Sequence, residues 1–163
     1  MMERDGELVP RRAHDRASRA SLVCQVATRL CALPLEAVIE TMRPLPVEPI
    51  AGAPDFVIGL AIIRGAPVPV VDAARLLGAA SARPRRFVAL RVAARPIALA
   101  VDSVIGVRQV AADQLSELAP LAGAMAGEVV AAIGAVDGRL LMLLEAARLV
   151  PDSVFELAER AAP

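Results

Sequence analysis

The sequence predicts an all-β fold with a few short helices, in which two small β-barrels pack side by side. Short apolar runs of strand length recur along the 163 residues, and glycine and proline breaks separate them as in a barrel or sandwich. The second half of the chain also repeats the pattern of the first half, which indicates two copies of one supersecondary unit. A single domain built from two packed subdomains therefore fits the length.

The N-terminal part is predicted as a tail followed by short strands. Residues 1–20 alternate charges with small residues and have no hydrophobic period, so we expect a flexible tail. Residues 22–27, 30–33 and 36–42 have the composition of strands. The passage 44–54 is punctuated by prolines, and we expect it to be loop or sheet edge because its missing N–H donors cannot sit within a ladder.

The most informative stretch begins at residue 56. Residues 56–63 form an uncharged run with the length and branching of a buried strand, and the Arg-Gly dipeptide at 64–65 closes a hairpin because glycine accepts a positive φ. After the second hairpin strand, Asp72 is a good N-cap for a short helix over 73–77, and Gly78 ends that helix. The stretch therefore predicts strand, turn, strand and capped helix.

The second strand of this hairpin, residues 66–71, contains Pro67 and Pro69. Backbone N–H groups two residues apart point to the same side of a strand, so one side lacks two ladder donors. We expect this strand at a sheet edge or bulge, with no ladder bonds on its proline side.

Two segments of the first half recur in the second half. Residues 32–39 (ALPLEAVI) match 98–105 (ALAVDSVI), and residues 64–77 match 137–150 in the order of turn, strand, acidic cap and helix. Phe87 to Val92 is then predicted to open a second barrel that begins near residue 85.

The remaining elements are short. Residues 113–118 are predicted as a helical turn, and residues 119–127 as a loop of small residues. Residues 153–162 are predicted as a C-terminal helix that begins at Asp152 or Ser153, with Val154, Leu157 and Ala158 on one side. The predicted organisation is a tail at 1–20, a two-barrel domain at 21–152 and a C-terminal helix or tail at 153–163.

The composition offers no catalytic constellation, so we do not expect an enzyme. The only histidine, His14, lies in the predicted tail, and a Ser or Cys nucleophile generally needs a nearby base. We expect no metal and no cofactor, because Cys24 and Cys31 are too few to form a metal site and no phosphate-binding glycine motif is present. For the two cysteines, buried free thiols are favoured, and a disulfide across a hairpin stays open.

Charge and composition also argue against nucleic acid and membrane insertion. The 18 basic residues, all arginine, balance 18 acidic residues, and three phenylalanines provide no stacking platform for bases. The basic cluster near residues 83–86 is interpreted as a solvated linker. The uncharged runs fall short of the roughly 20 residues of a membrane helix, and residues 1–20 lack the apolar core of a signal peptide, so a cytoplasmic location is expected.

Three consecutive motifs resemble the signature of the CheW family of chemotaxis adaptor domains: a strand ending in R-G, the V-P-V-V-D strand and the A-R-L-L-G helix. The likeness extends from about Ser21 to Pro151. The resemblance implies two five-stranded, SH3-like β-barrel subdomains. It also implies a non-catalytic scaffold that couples chemoreceptors (methyl-accepting chemotaxis proteins) to the histidine kinase CheA in arrays under the inner membrane. The implied partners are the receptor's cytoplasmic hairpin tip, the kinase's regulatory domain and other CheW-like copies.

The resemblance also implies partner-binding residues, which are Arg64, Val38, Ile39, Glu40, Phe87, Val88, Val107 and Val110. Arg64 suits this role because a guanidinium on a rigid turn offers a planar fork to carboxylates or helix carbonyls. A solvated hairpin tip is the alternative for Arg64, and plain core strand is the alternative for the apolar residues. Strand alternation requires that part of the segment 38–40 be exposed.

Several positions depart from the family pattern and leave the exact partners open. Ile62 and Ile63 precede the Arg-Gly turn where the family often has a polar residue, and Gly106 follows the V-D-S-V-I motif. One alternative is a divergent adaptor of a pilus-type or other non-flagellar sensory pathway. Another is a small β-barrel that binds a metabolite between its halves, which would require convergent polar groups in an apolar cleft.

Overall fold

A computed structural model describes residues 18–80, 84–111, 115–117, 130–145 and 149–161. Eleven strands lie within these ranges: β1 (Ser18–Val26), β2 (Arg29–Pro34), β3 (Val38–Met42), β4 (Val57–Ile63), β5 (Ala66–Asp72), β6 (Arg86–Val92), β7 (Arg95–Val101), β8 (Ser103–Ala111), β9 (Leu115–Glu117), β10 (Val130–Val136) and β11 (Arg139–Leu144). The described helices are a 3₁₀ turn at Leu35–Ala37 and two α-helices, α1 (Ala73–Leu76) and α2 (Asp152–Ala161).

The strands form two sheets that share one topology. The first sheet has the order β8-β1-β2-β11-β10-β9, and the second has the order β3-β6-β7-β5-β4. Each sheet contains one parallel pair, β2 with β11 and β7 with β5, at the equivalent place in the order, and its other pairs are antiparallel. The first five strands of one sheet thus match the five strands of the other. The predicted fold class and the internal repeat are confirmed.

The boundary predicted near residue 85 is wrong. β6 and β7, which were expected to open the second barrel, pair with β3 and β5 in the five-stranded sheet, whereas β1 and β2 join β8 to β11 in the six-stranded sheet. The chain crosses from one sheet to the other at Leu35–Ala37 and crosses back at Asp102. These crossings are the repeated segments 32–39 and 98–105. Each unit therefore takes strands from both halves of the chain, because pairing partners and not chain order define a sheet.

The two long hairpins close with the same backbone geometry. Arg64 and Gly65 have φ values of 52° and 81°, and Asp137 and Gly138 have values of 51° and 75°. Two successive residues with positive φ are the mark of a type I′ turn, which matches the twist of the flanking strands. The predicted turn at 64–65 is confirmed, and its repeat at 137–138 carries an acidic residue where the first turn carries a basic one.

The prediction for the proline strand is corrected in part. β5 lies inside its sheet and not at an edge, because its last residues, Val70 to Asp72, pair in parallel with β7. Pro67 and Pro69 lie in the other half of β5, which pairs only with β4. In a two-residue hairpin the pair beside the turn is hydrogen-bonded, so both prolines occupy non-bonded positions of the ladder. Their missing donors face the side of β5 where, among the described residues, no strand pairs.

Helix α1 has the predicted start and stop. Asp72 Oδ1 accepts hydrogen bonds from the N–H groups of Ala74 at 3.0 Å and Arg75 at 3.3 Å, which satisfies two donors of the first turn. Gly78 has a φ of 78°, and its N–H donates to the carbonyl of Arg75 at 3.0 Å. The left-handed glycine thus ends the helix as expected.

The main hydrophobic core lies between the two sheets, where residues such as Leu22 and Leu99 pack with α1 and α2. Two smaller clusters fill the other faces, one around Val70 in the five-stranded sheet and one around Leu30 in the six-stranded sheet. Because both faces of each sheet are covered in this way, central strands read as continuous apolar runs rather than as alternating ones.

The C-terminal helix docks on this core, which the sequence left open. Val154, Phe155 and Ala158 are buried, while Leu157, predicted on the same side, is only half-buried. Arg95 in the β6–β7 region holds the start of the helix, because its Nη2 donates to Asp152 Oδ1 at 2.6 Å and its guanidinium lies 4.0 Å from the centre of the Phe155 ring.

The two cysteines lie opposite each other on β1 and β2, and both are free and buried. Burial in the core raises the pKa of both the Cys24 and the Cys31 thiols to about 12. The prediction of buried free thiols is confirmed.

Two local predictions are wrong. Ser18, Arg19 and Ala20, assigned to the tail, already belong to β1, because they pair with the end of β8. Residues 115–117, assigned to a helical turn, form β9 on the edge of the six-stranded sheet. Residues 1–17, 113–114 and the predicted loop at 119–127 lie outside the described residues. Within the described part of the chain, no helix is long and apolar enough to cross a membrane.

Candidate partner-binding surface

Two of the predicted site residues, Arg64 and Glu40, contact each other although they lie 24 residues apart. Arg64 Nε donates to Glu40 Oε2 at 2.8 Å, and Arg64 Nη2 donates to the same oxygen. The Arg64 side chain is 75% exposed and the Glu40 side chain 29% exposed. The guanidinium is therefore held by one carboxylate but still faces solvent, as a partner contact requires.

This ion pair links the two edge strands of the five-stranded sheet. Glu40 lies on β3 and Arg64 follows β4, and these strands are the first and last in the order of that sheet. A second link closes the same gap, because the backbones of Glu48 and Leu60 exchange two hydrogen bonds of 2.8 Å. The Arg64 side chain and the middle of β4 are thus both tied to the segment that contains β3 and the loop after it.

Gly59, which the sequence interpretation did not single out, makes this closure possible. A Cβ at this position would lie 2.1 Å from the carbonyl oxygen of Glu48, and the φ of Gly59 is 155°. Only glycine allows the loop backbone to approach so closely. The signal in the sequence was a glycine inside an otherwise apolar strand, which is typical of a bulge or a close backbone approach.

The β3 segment is exposed in part, as predicted. Ile39 is 42% exposed, whereas Val38 is half-buried and packs against the core between the sheets. A β-bulge lies between Val38 and Glu40, because Val38 pairs with Leu90 whereas Glu40 pairs with the neighbouring Ala89, so Val38 and Glu40 lie on opposite faces of the sheet. Part of this segment is therefore available to a partner.

Phe87 and Val88 offer no surface to a partner. Phe87 packs within the cluster of the five-stranded sheet, and Val88 packs in the core between the sheets. Both are buried, with at most 1% of their surface exposed. The expectation that they line an apolar groove is corrected, since β6 is a central strand whose two faces are both covered.

Val107 and Val110 on β8 differ in exposure. Val107 is 55% exposed, while Val110 is only 5% exposed and lies in the interior cluster of the six-stranded sheet. Their odd separation along the strand puts them on opposite faces. Val107 pairs with Leu22, which belongs to the core between the sheets, so Val107 lies at the exposed margin of that inter-sheet face. Val107 is therefore exposed and available to a partner, whereas Val110 is buried and is not.

Exposed aliphatic residues that the sequence interpretation missed lie near both hairpin tips. Ile62 is 59% exposed and lines a groove of about 410 Å³ with Leu60 and Pro67, two residues before Arg64. In the six-stranded sheet, Ile105 is 42% exposed and lines a groove of about 380 Å³ that also contains Asp137 of the second tip. The groove near the first tip is mainly apolar, whereas the groove at the second tip also contains Arg108 and Arg139.

The described residues include no metal-binding cluster and no reactive thiol. No group of three or more His, Cys, Asp or Glu side chains within the described ranges is arranged to hold a metal ion. The raised pKa of Cys24 and Cys31 keeps both thiols protonated, and a protonated thiol is a poor nucleophile. Charged turns and apolar grooves are features of protein recognition.

Comparison with known proteins identifies the family to which this fold belongs. Residues 20–154 match the family model of the CheW-like domain. The chain is 30% identical over 120 residues to the chemotaxis protein CheW of Rhizobium meliloti (strain 1021), covering 72% of this chain and 74% of that protein. It is 27% identical over 119 residues to the chemotaxis protein CheW of Klebsiella aerogenes, covering 71% of this chain and 72% of that protein.

A solved structure has the same architecture. The scaffolding protein TtCheW from Thermoanaerobacter tengcongensis matches with a TM-score of 0.70 and 20% identity, over 80% of this chain and 91% of that chain. This likeness extends to both subdomains and confirms the SH3-like fold of each.

Proposed function

The chain belongs to the CheW-like domain family, and on that premise we propose that it is a non-catalytic adaptor that couples chemoreceptors to the histidine kinase CheA. The observation that carries this proposal is the Arg64 tip, an exposed guanidinium on a type I′ turn that is anchored to the opposite edge of its sheet. A rigid, solvent-facing cation is suited to recognition because little side-chain entropy is lost on binding. The proposed location is the receptor array under the inner membrane.

The two hairpin tips differ in charge, which supports two different partner surfaces. Arg64 at one tip favours an acidic patch, whereas Asp137 at the equivalent tip of the other sheet shares its groove with Arg108 and Arg139 and favours a partner of mixed charge. Complementary charges increase the rate of association and disfavour wrong partners by like-charge repulsion. We assign the tips to kinase regulatory domains and to other CheW-like copies, because those domains have the same pseudo-symmetric architecture in this family.

The receptor hairpin is assigned to the groove between the sheets. Val38 and Val107 lie at the margin of the inter-sheet core, and Ile39 is exposed on the same edge strand as Val38. A helical hairpin with an apolar stripe is the kind of partner that such a groove accepts. The individual affinities are expected to be modest, since few aromatic anchors are present, and repetition in an array strengthens them.

Isothermal titration calorimetry with two purified partners tests the proposal. The partners are a receptor cytoplasmic hairpin fragment and the regulatory domain of CheA from the same genome. Arg64→Glu is compared with wild type, and Arg160→Glu on the exposed face of α2 is the matched control, because Arg160 has no ion pair among the described residues. We expect wild type and the control to bind both partners and Arg64→Glu to weaken kinase-domain binding alone.

The opposite result is equally clear. If wild type binds neither partner, the adaptor function in chemotaxis is refuted although the fold stands. If wild type binds only partners from a pilus-type or other non-flagellar pathway, the divergent-adaptor alternative replaces the proposal.

A further inference from the structure

A cleft with a charged lining lies at a junction between the two sheets. The cleft has a volume of about 250 Å³ and lies where the start of β1 and the end of β11 meet the 3₁₀ turn and the end of β6. Arg19, Glu36, Arg91 and Glu145 line it. These residues are spread over the whole sequence, so only the tertiary structure brings them together.

The charged side chains of the cleft are exposed, and within the described part of the chain they are not paired with one another. Two arginines, Arg19 and Arg91, and two glutamates, Glu36 and Glu145, surround the same opening. Among the described residues, none of the four forms an ion pair. Ser21 also lines the cleft, is only 1% exposed, and its hydroxyl has no hydrogen-bond partner among the described residues. A buried polar group without a partner is uncommon and indicates an additional ligand or water.

The internal repeat shows that the same junction is closed in the other half of the molecule. Glu36 corresponds to Asp102 in the repeated segments, and Asp102 Oδ2 accepts a hydrogen bond from the N–H of Ala27 at 2.9 Å. That bond ties the crossing to the β1–β2 turn. Glu36 makes no such bond to the equivalent turn at Ala93, which lines the open cleft instead. One junction is therefore satisfied internally, and its counterpart is left available.

The charges of the cleft restrict the ligand. Two arginines pair with a carboxylate, while two glutamates pair with an ammonium group, so a ligand with only one sign of charge would meet repulsion from half of the lining. The volume is below the roughly 300–1,000 Å³ of sites for drug-sized ligands, so the ligand is small. We propose that this cleft binds a free α-amino acid, with its carboxylate toward Arg19 and Arg91 and its ammonium toward Glu36 and Glu145. The cleft shares no lining residue with the Arg64 tip, while Glu36 and Ala37 of the cleft immediately precede Val38 of the proposed receptor surface.

Calorimetric titration of the full chain with each of the standard amino acids tests the proposal. Any amino acid that binds is compared with its N-acetyl form, which lacks the ammonium, and its carboxamide form, which lacks the carboxylate. Arg91→Ala and Glu36→Ala are the cleft variants, both at exposed positions, and Arg160→Ala is the matched control. Circular dichroism confirms that each variant is folded.

We expect at least one amino acid to bind, and both blocked forms and both cleft variants to weaken that binding by about tenfold or more, since each removes a charge-assisted contact. The control should leave affinity unchanged. The proposal is overturned if no amino acid gives saturable heat, if a blocked form binds as well as the free amino acid, or if the cleft variants bind like wild type.

Discussion

Exchanging the charges of Arg64 and Glu40 separates a role in folding from a role in partner binding. Three variants are required: Arg64→Glu, Glu40→Arg, and the double variant that carries both changes. Each single change places two like charges at the contact between β3 and the hairpin tip. The double variant restores an ion pair with the charges reversed. It leaves the tip acidic where a partner would meet a guanidinium.

The structure sets the size of the effect on stability. The Arg64 side chain is 75% exposed, and exposed pairs typically contribute about 0.2–1 kcal/mol, so we expect each single variant to lose about 1 kcal/mol. For a domain of this size such a loss lowers Tm by about 2–4 °C. The double variant should recover most of this loss, because the Glu48–Leu60 backbone bridge still holds the two edges in place.

Thermal denaturation and titration of the CheA regulatory domain measure the two effects on the same samples. We expect the double variant to regain stability but to stay weakened in binding by about tenfold or more, which is the cost of losing a partner-facing charge. If the double variant regains both stability and binding, Arg64 acts only by closing the sheet. If the single variants bind like wild type, the surface around Arg64 has no partner role.

Three further outcomes follow from the geometry. Gly59→Ala should lower the free energy of unfolding by about 3 kcal/mol or more, since its Cβ would overlap the Glu48 carbonyl. Gly65→Ala has open space around it and should lower the free energy of unfolding by only about 1 kcal/mol. Urea denaturation measures both losses, and equal losses would contradict the close approach at Gly59. In the folded protein the pKa of Cys24 and of Cys31 is about 12, against an ordinary value of 9.0, so the folded state keeps protons that the unfolded state releases. The free energy of unfolding should therefore fall as pH rises from about 9 toward 12. Denaturation curves of the double alanine variant should show a weaker dependence on pH over this range, and an unchanged dependence would contradict the prediction. Arg95→Ala removes an ion pair and a cation–π contact at the start of α2, so amide hydrogen exchange in that helix should become about tenfold faster. Unchanged exchange would show that apolar packing alone holds the helix.

The residues of the proposed partner surface show how far a local motif predicts structure. The Arg-Gly motif correctly placed Arg64 on a tight turn, because a type I′ turn depends on two adjacent residues. Its bond to Glu40 was not predictable, since the two residues meet only when the sheet curves and its edges approach. Phe87 and Val110 carried the same motif-level expectation as Val107, and only the coverage of each strand face distinguishes buried from exposed.

The sequence by itself determined most of the elements and the repeat. Apolar runs, positive-φ turns, the Asp72 cap and the paired acidic crossings are all encoded within a few residues of each other, so local backbone physics is enough to predict them. The tertiary structure alone decided which strands share a sheet, that β5 is internal despite its prolines, and that Ser21, Glu36 and Arg91 surround one cleft. Those features depend on pairings between strands far apart in the chain, and an apolar strand pattern specifies burial without specifying the neighbour against which the strand is buried.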